Sequence, residues 1–199
     1  MKFDFNTNLI LENNIALLRP LELNDFELLK HFSNSEPELW TYSLVPADTE
    51  EKLKLYIASA IEARKNKKEF PFVIIDKRTN EIAGSTRFYD IQLQHDSLQL
   101  GYTWIGKNFQ GTNLNKNCKY LLLQFAFEHL KCERVEFRAD FLNKKSIAAM
   151  LNIGCKQEGI LRSHFLKLNG ERRDSIILSI LKNEWHENLK TALLAKIKS

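Results

Sequence analysis

The stretch from Leu98 to Asp140 constrains this chain more than any other part of it. "LQLGYTWI" alternates as a strand, "GKNFQGTNLN" is polar and turn-rich, and "KNCKYLLLQFAFEHL" carries apolar residues at helical spacing. "RVEFRAD", from Arg134 to Asp140, alternates again. Strand, loop, helix and strand in that order form a βαβ crossover, so the two strands belong to one sheet with the helix laid across its face. The loop also places backbone N–H groups at the positive end of a helix dipole, where an anion is favoured.

Around that unit the pattern is mostly antiparallel. A first strand is predicted over Ile15–Arg19, stopped by Pro20, and "NDFE" at Asn24–Glu27 reads as a capping box opening a helix to about Phe32. Ser33 to Ala47 holds two prolines with Trp40 and Tyr42 and reads as a loop or broken helix, and a helix follows from Asp48. Phe70–Asp76 and Ile82–Ile91 make a hairpin that the Leu98–Ile105 strand extends. A short helix ends at Gly154, a hairpin turns at Asn169–Gly170, and an amphipathic helix starts near Asn183. The sum is a mixed sheet with helices on both faces, in the α/β to α+β range, with ligands expected at the carboxyl ends of strands.

At 199 residues the chain is expected to be a single domain, with the helix from about 183 to 198 as an appendage. A net charge of +4 does not demand nucleic acid and suits an anionic small ligand equally well. The basic run Ala63–Glu69 ends a predicted helix and is expected to face water, a phosphate or RNA contact being the alternative. Cys118, Cys132 and Cys155 are scattered and odd in number, which argues against a metal-binding pair or a disulfide framework. No apolar run approaches ~18 residues and the N-terminus lacks a signal-peptide core, so the expected location is the cytoplasm, with no membrane partner.

The loop matches neither a Walker P-loop, because a second Gly and the hydroxyl residue are missing, nor a dinucleotide fingerprint. It resembles the pyrophosphate motif Q/R-x-x-G-x-G/A of the GNAT acyl-CoA N-acetyltransferases. Gln110 holds the first position, while Asn113 and Asn115 stand where the small residues belong. Asn113 is expected to substitute by tolerating a left-handed backbone, and Asn115 by capping the helix. Asn143 and Ser146 in N-x-x-S, followed by Gly154, Glu158, Gly159 and Arg162, are similar to the RimJ/RimL-type branch, the relatives of ribosomal-protein N-terminal acetyltransferases. The likeness runs from about Leu17 to Trp185. It implies a twisted, mainly antiparallel sheet of about seven strands flanked by helices, with a splayed central strand pair.

The resemblance further implies acetyl-CoA as co-substrate and no metal. Its pyrophosphate would lie on the N–H groups of Gln110, Gly111, Thr112, Asn113, Leu114, Asn115 and Lys116, with Lys107, Lys116 and Lys119 as further charge or as plain surface lysines. The end of the "GYTWI" strand, at Trp104 and Ile105, would bond the pantetheine arm, and one N–H there would polarise the thioester. Many relatives carry a Glu base where this chain has Gln99, and several use a Tyr acid where it has Met150. Base candidates are therefore Asp140, His95 and His164; Asp140 is equally a turn residue. Ser146 is nominated to serve the leaving thiolate and Asn143 to orient pantetheine or acceptor, unless both simply open a helix. Trp40, Tyr42, Arg87, Tyr89 and Tyr102 are candidates for the acceptor pocket, where Arg87 would bind a carboxylate.

The acceptor is expected to be a primary amine, either a small molecule or a protein N-terminus, attacked directly in a ternary complex by a monomer or homodimer. An amine of pKa ~10.4 is neutral in about one molecule in 2,500 at pH 7, a cost of ~4.6 kcal/mol, against ~1.4 kcal/mol for an α-amine of pKa ~8. Two other readings stay open: a CoA-binding sensor without catalysis, and an RNA- or ribosome-associated basic protein.

Overall fold

Side-chain alternation decides which way each strand faces. In the strand Arg134–Asp140, Val135, Phe137 and Ala139 are buried toward one face, and Arg134, Glu136 and Arg138 take the other. Phe70–Asp76 is buried almost throughout, as expected of a strand covered on both sides. The computed structural model describes residues 1–167 and 169–198. Its strands are β1 (Leu11–Glu12), β2 (Ala16–Pro20), β3 (Phe70–Asp76), β4 (Glu81–Gln92), β5 (Ser97–Ile105), β6 (Arg134–Asp140), β7 (Lys156–Leu166) and β8 (Arg172–Leu181). They form one sheet in the order β1-β2-β3-β4-β5-β6-β8-β7. Every neighbouring pair is antiparallel except β5 and β6, the two ends of the crossover.

Helices α1 (Phe26–Ser35) and α2 (Glu50–Lys65) cover one face. α3 (Leu114–Gln124), α4 (Lys144–Asn152), α5 (Lys182–Glu184) and α6 (Lys190–Lys198) complete the set. Leu18, Phe72, Phe88, Leu100, Val135 and Leu178 meet Leu122, Phe127, Trp185 and Leu193 in the larger core, on the α3 side. The smaller core joins Leu29, Phe32, Tyr56 and Ile57 to Val73 and Trp104, and it contains no residue of β6, β7 or β8. That half of the sheet therefore keeps one face open.

The expected elements recur with local shifts. The sheet has eight strands, the extra one being the two-residue β1. The turn before α1 is fixed earlier than Asn24: Asp25 is buried, accepts from the Glu22 N–H at 2.8 Å and takes both Arg19 Nη atoms at 2.9 and 2.6 Å. α2 starts from a Thr49 cap, with Glu50 and Glu51 in its first turn and Arg64 and Lys65 in its last. Of the basic run at its end, Arg64 does not face water alone. It donates to the carbonyls of Phe5 and Thr7 at 2.8 and 2.7 Å and so ties down the N-terminal segment. α3 begins at Leu114, two residues ahead of expectation, and continues into a wide π turn at Phe125–His129.

β4 and β5 approach unusually closely at Gly84, whose φ is +156°. A Cβ there would lie 2.1 Å from the Trp104 carbonyl oxygen, so backbone would have to move. Gly84→Ala is therefore expected to cost ~2 kcal/mol or more through overpacking. At this chain size that is a Tm fall of about 4–8 °C by calorimetry, with the far-UV spectrum unchanged.

Candidate active site

β5 and β6 share only three registered pairs, Ser97–Arg134, Leu98–Val135 and Gln99–Glu136. Beyond Gln99 the strands part: β5 continues beside β4, and β6 beside β8. The parting coincides with a bulge. Ser85 faces Trp104 and Arg87 faces Gly101, so Tyr102 and Thr103 together oppose Thr86, and Tyr102 takes a φ of +51°. A bulge bends its strand and adds twist, which carries the end of β5 away from β6. From Leu100 to Ile105 the β6-facing edge of β5 has no strand partner. The result is a slot that opens at the carboxyl ends of two parallel strands.

The slot runs into the Gln110–Lys116 loop. Among the described residues, the N–H groups of Gly111, Thr112, Asn113, Asn115 and Lys116 donate to nothing, while that of Leu114 meets Thr112 Oγ1 at 3.3 Å. Those five donors at the head of an eleven-residue helix make a nest for an anion. The asparagines act differently from expectation. Gly111, with a φ of +75°, is the left-handed residue, and Asn113 at −73° is right-handed. Asn113 is the residue before the helix and Asn115 lies inside it, its Oδ1 buried without a donor. Thr112 explains the shift, because its hydroxyl accepts the first helical N–H and starts the helix early. Gln110 crosses the slot: its Nε2 donates to the Ile105 carbonyl at 2.6 Å, and its Oε1 accepts from Lys145 Nζ on α4.

The three lysines considered for phosphate charge have three different surroundings. Lys107 is exposed and paired with Glu38. Lys116 stays at the loop, with Nζ 3.3 Å from Asn113 Oδ1. Lys119 is 6% exposed, and its ammonium donates to Thr103 Oγ1 at 2.7 Å inside the slot wall. Burial lowers the pKa of Lys119 from 10.5 to about 8. Cys118, Cys132 and Cys155 are free and buried, and burial pushes each thiol up to about 12, so none is a thiolate at neutral pH.

α4 faces the slot from the β6 side. Asn143 Oδ1 accepts the Ser146 N–H at 3.0 Å, which makes Asn143 the helix cap. The Ser146 hydroxyl has no partner among the described residues, and it lies one turn ahead of the buried Met150. Asp140 is level with Thr103 across the slot if the Gln99–Glu136 register is continued. Its Oδ1 accepts the Leu142 N–H at 2.9 Å, and its Oδ2 lies 3.8 Å from Arg173 Nε and 4.0 Å from Lys167 Nζ, in a turn role with cations around it. His164, on the bulged edge strand β7, has its pKa lowered by desolvation and by Arg138, Arg173 and Arg172, so it is neutral at pH 7. His95 precedes β5, at the closed end of the strand pair, on the order of 20 Å from the slot mouth. That position removes it as a base. Gln99 is buried at the fork, with Nε2 bonded to Asp90 at 2.6 Å and Oε1 unpartnered.

Of the acceptor-side candidates, three form one cluster. Arg87 lies over the rings of Tyr102 and Tyr56 at 4.1 and 4.5 Å, and Tyr89 packs edge-on against Tyr102 at 5.0 Å. Arg87 is buried rather than exposed; Nη1 pairs with Glu69 at 2.6 Å, while Nε and Nη2 have no partner among the described residues. Trp40 is core, packed on Trp104 and Tyr56. Tyr42 is 40% exposed and touches the site through its carbonyl, which accepts from Arg173 Nη1 at 3.3 Å. Glu69 escaped the sequence reading because it sits in a basic run, and only the fold brings it to Arg87. Among the described residues no cluster of His, Cys, Asp or Glu is placed to hold a metal, and no helix is long and apolar enough to cross a membrane.

Residues 16–156 match the acetyltransferase (GNAT) domain family model. An uncharacterized N-acetyltransferase, p20 of Bacillus licheniformis, is 27% identical over 173 residues, 84% of this chain and 93% of the relative. YdaF of Bacillus subtilis, named as a candidate ribosomal N-acetyltransferase, is 33% identical over 104 residues, 52% of this chain and 56% of the relative. A crystal structure of a candidate acetyltransferase from T. thermophilus superposes with a TM-score of 0.84 at 31% identity, covering 94% of this chain and 96% of that one.

The buried ammonium has a measurable signature. Unfolded, Lys119 keeps its proton up to about pH 10.5, whereas folded it releases it near 8, so the unfolded state binds more protons between those values. Stability must then rise with pH across that window, relative to a Lys119→Met variant. Urea midpoints taken from pH 7.5 to 10 are expected to converge with those of the variant as pH increases.

Proposed function

The chain belongs to the GNAT acetyltransferase family, and we propose that it moves an acetyl group from acetyl-CoA to a primary amine by direct attack in a ternary complex. The observation that carries this reading is the continuity of the slot with the loop. An extended acyl-pantetheine arm needs an unpaired strand edge, a pyrophosphate needs convergent N–H donors, and the two adjoin at Ile105–Gln110.

In this reading the pyrophosphate lies on Gly111–Lys116, displacing the strap that Gln110 makes, and Lys116 adds charge. The pantetheine follows the free edge of β5 through Trp104 and Ile105. A β5 N–H at the bulge polarises the thioester carbonyl. The amine arrives over the open sheet face, beside Tyr89, Tyr102 and Arg87, where the free Nε and Nη2 of Arg87 suit an acceptor oxygen. As the C–N bond forms and the C–S bond breaks, the Ser146 hydroxyl hands its proton to the sulfur and regains one from solvent, while Asn143 fixes the helix turn that carries it. His164, neutral and on the open face, takes the proton of the amine more readily than Asp140, whose carboxylate is held by Arg173 and Lys167.

We assign the acceptor to the α-amines of the RimJ/RimL-type branch, on the N-x-x-S and E-G-x-x-R motifs and the likeness to YdaF. An α-amine needs ~3 kcal/mol less help from a base than a lysine side chain, which suits a site whose Glu position holds Gln99. The 199 residues act as one such domain, with the last helical segment packed under α3 through Trp185.

Acetyl-CoA at 100-fold excess over Kd adds about 2.7 kcal/mol of stability, so a Tm rise of roughly 5–10 °C is expected, with none from ATP or NAD. No rise with acetyl-CoA removes the reading. Peptides with free N-termini are expected to be acetylated at least tenfold faster than N-blocked peptides carrying lysine. Ser146→Ala should lower kcat at least tenfold with acetyl-CoA binding within threefold, and unchanged turnover would take Ser146 out of the mechanism.

A further inference from the structure

One feature of the slot is costly without a ligand. Lys119 brings an ammonium into the wall of the larger core, and its only polar partner among the described residues is the neutral Thr103 hydroxyl. Thr103 is itself shared with Thr86 Oγ1 at 2.7 Å, and among those residues no carboxylate pairs with the lysine. The other titratable groups beside it are the thiols of Cys118, its neighbour on α3, and Cys155, at the start of β7, both held neutral. A buried charge with one neutral acceptor is unfavourable, and a site that needed packing alone would be better filled by Met or Leu. One turn earlier on the same face of α3, Asn115 presents a buried Oδ1 with no donor. Both groups lie along the stretch where β5 has left β6, with Thr103 directly after the bulge residue Tyr102.

We propose that Lys119 is a catalytic residue that donates a charged hydrogen bond to the acyl carbonyl oxygen of the bound thioester, with Asn115 accepting an amide N–H of the pantetheine arm behind it. The inference rests on the reading of the slot as the acyl-CoA site, and it moves Lys119 from the phosphate loop to the reacting carbonyl. As the amine attacks, the carbonyl oxygen becomes negative and the ammonium opposes that charge in a water-poor wall. When the C–S bond breaks the charge moves to the sulfur, which leaves as a thiol with the proton from Ser146. The amine gives up its own proton to His164 or solvent, and Lys119 keeps its proton throughout. The net change is acetyl thioester plus amine to amide plus thiol.

The test compares wild type with Lys119→Met, using acetyl-CoA and adenosine 3′,5′-bisphosphate as separate probes. Expected results are a Tm without ligand equal to or above wild type, unchanged affinity for the bisphosphate, KM for acetyl-CoA within about threefold, and kcat at least thirtyfold lower. Equal loss of bisphosphate and acetyl-CoA affinity would return the lysine to the phosphates and overturn the proposal. A lower ligand-free Tm with normal kcat per folded molecule would make it structural and overturn it as well. A raised KM with normal kcat would mean a contact to the arm and not to the carbonyl. Lys119→Gln, which keeps a donor without the charge, carries the same readouts should the Met variant aggregate. Wild type that neither binds nor turns over acetyl-CoA fails the slot reading itself, and this inference with it; active wild type with an equally active variant fails the inference alone.

Discussion

Everything in the site depends on β5 leaving β6. Two parallel strands that begin in register at Ser97–Arg134 would normally zip to their ends, because each unpaired ladder group in the sheet interior forfeits a hydrogen bond. Here the bulge at Tyr102 adds a residue to β5 opposite Thr86, and β5 follows β4 instead. The close contact of Gly84 with the Trp104 carbonyl holds that choice in place from the β4 side. Phe32 and Trp40 pack on Trp104, so the displaced strand end is anchored by apolar contact as well as by its ladder with β4.

Away from the slot most buried polar groups are satisfied, Trp40 Nε1 and the Ser175 hydroxyl being exceptions. Asp25 is clasped by both nitrogens of Arg19, Asp76 by Arg78, and Glu158 bridges Arg134 and the Ser179 hydroxyl. Around the slot the opposite holds: five loop N–H groups, Asn115 Oδ1, two Arg87 donors and the Ser146 hydroxyl are unengaged among the described residues, and Lys119 has one neutral partner. A fold tolerates such groups where a ligand completes them, and their concentration along one line marks the site better than any single residue. In the proposed reaction the open face of β6 and β8 would receive the acceptor, because α1 and α2 cover only the other half of the sheet.

Much of this was legible from the chain. The boundaries of β3 and β6 follow from apolar alternation, and the βαβ unit from the order of periodicities. The loop announced itself through Gln110 and Gly111 even though the two asparagines departed from the motif. What failed were statements about side-chain company. Neither Asn113 nor Asn115 takes its expected role: Gly111 is the left-handed residue, and with the Thr112 hydroxyl accepting the Leu114 N–H at 3.3 Å the helix starts early, leaving Asn113 just before it and Asn115 inside it. Trp40 went to the core, and Glu69 came to Arg87 across eighteen positions of sequence. His95 was lost because a loop at the wrong end of a strand looks, in sequence, as near to the site as one at the right end.

By itself, then, the sequence determined the elements, their order and the strand–loop–helix junction with its free N–H groups, since these rest on periodicity, turn chemistry and the unpaired N–H groups of a helix start, all of them local. Only the tertiary structure decided where β5 parts from β6, that Lys119 is buried against Thr103 in the slot wall while Lys107 is paired at the surface, and that Arg87 is buried between Tyr102, Tyr56 and Glu69. Burial and distance between residues far apart in the chain are properties of the packed sheet, and no local pattern encodes them.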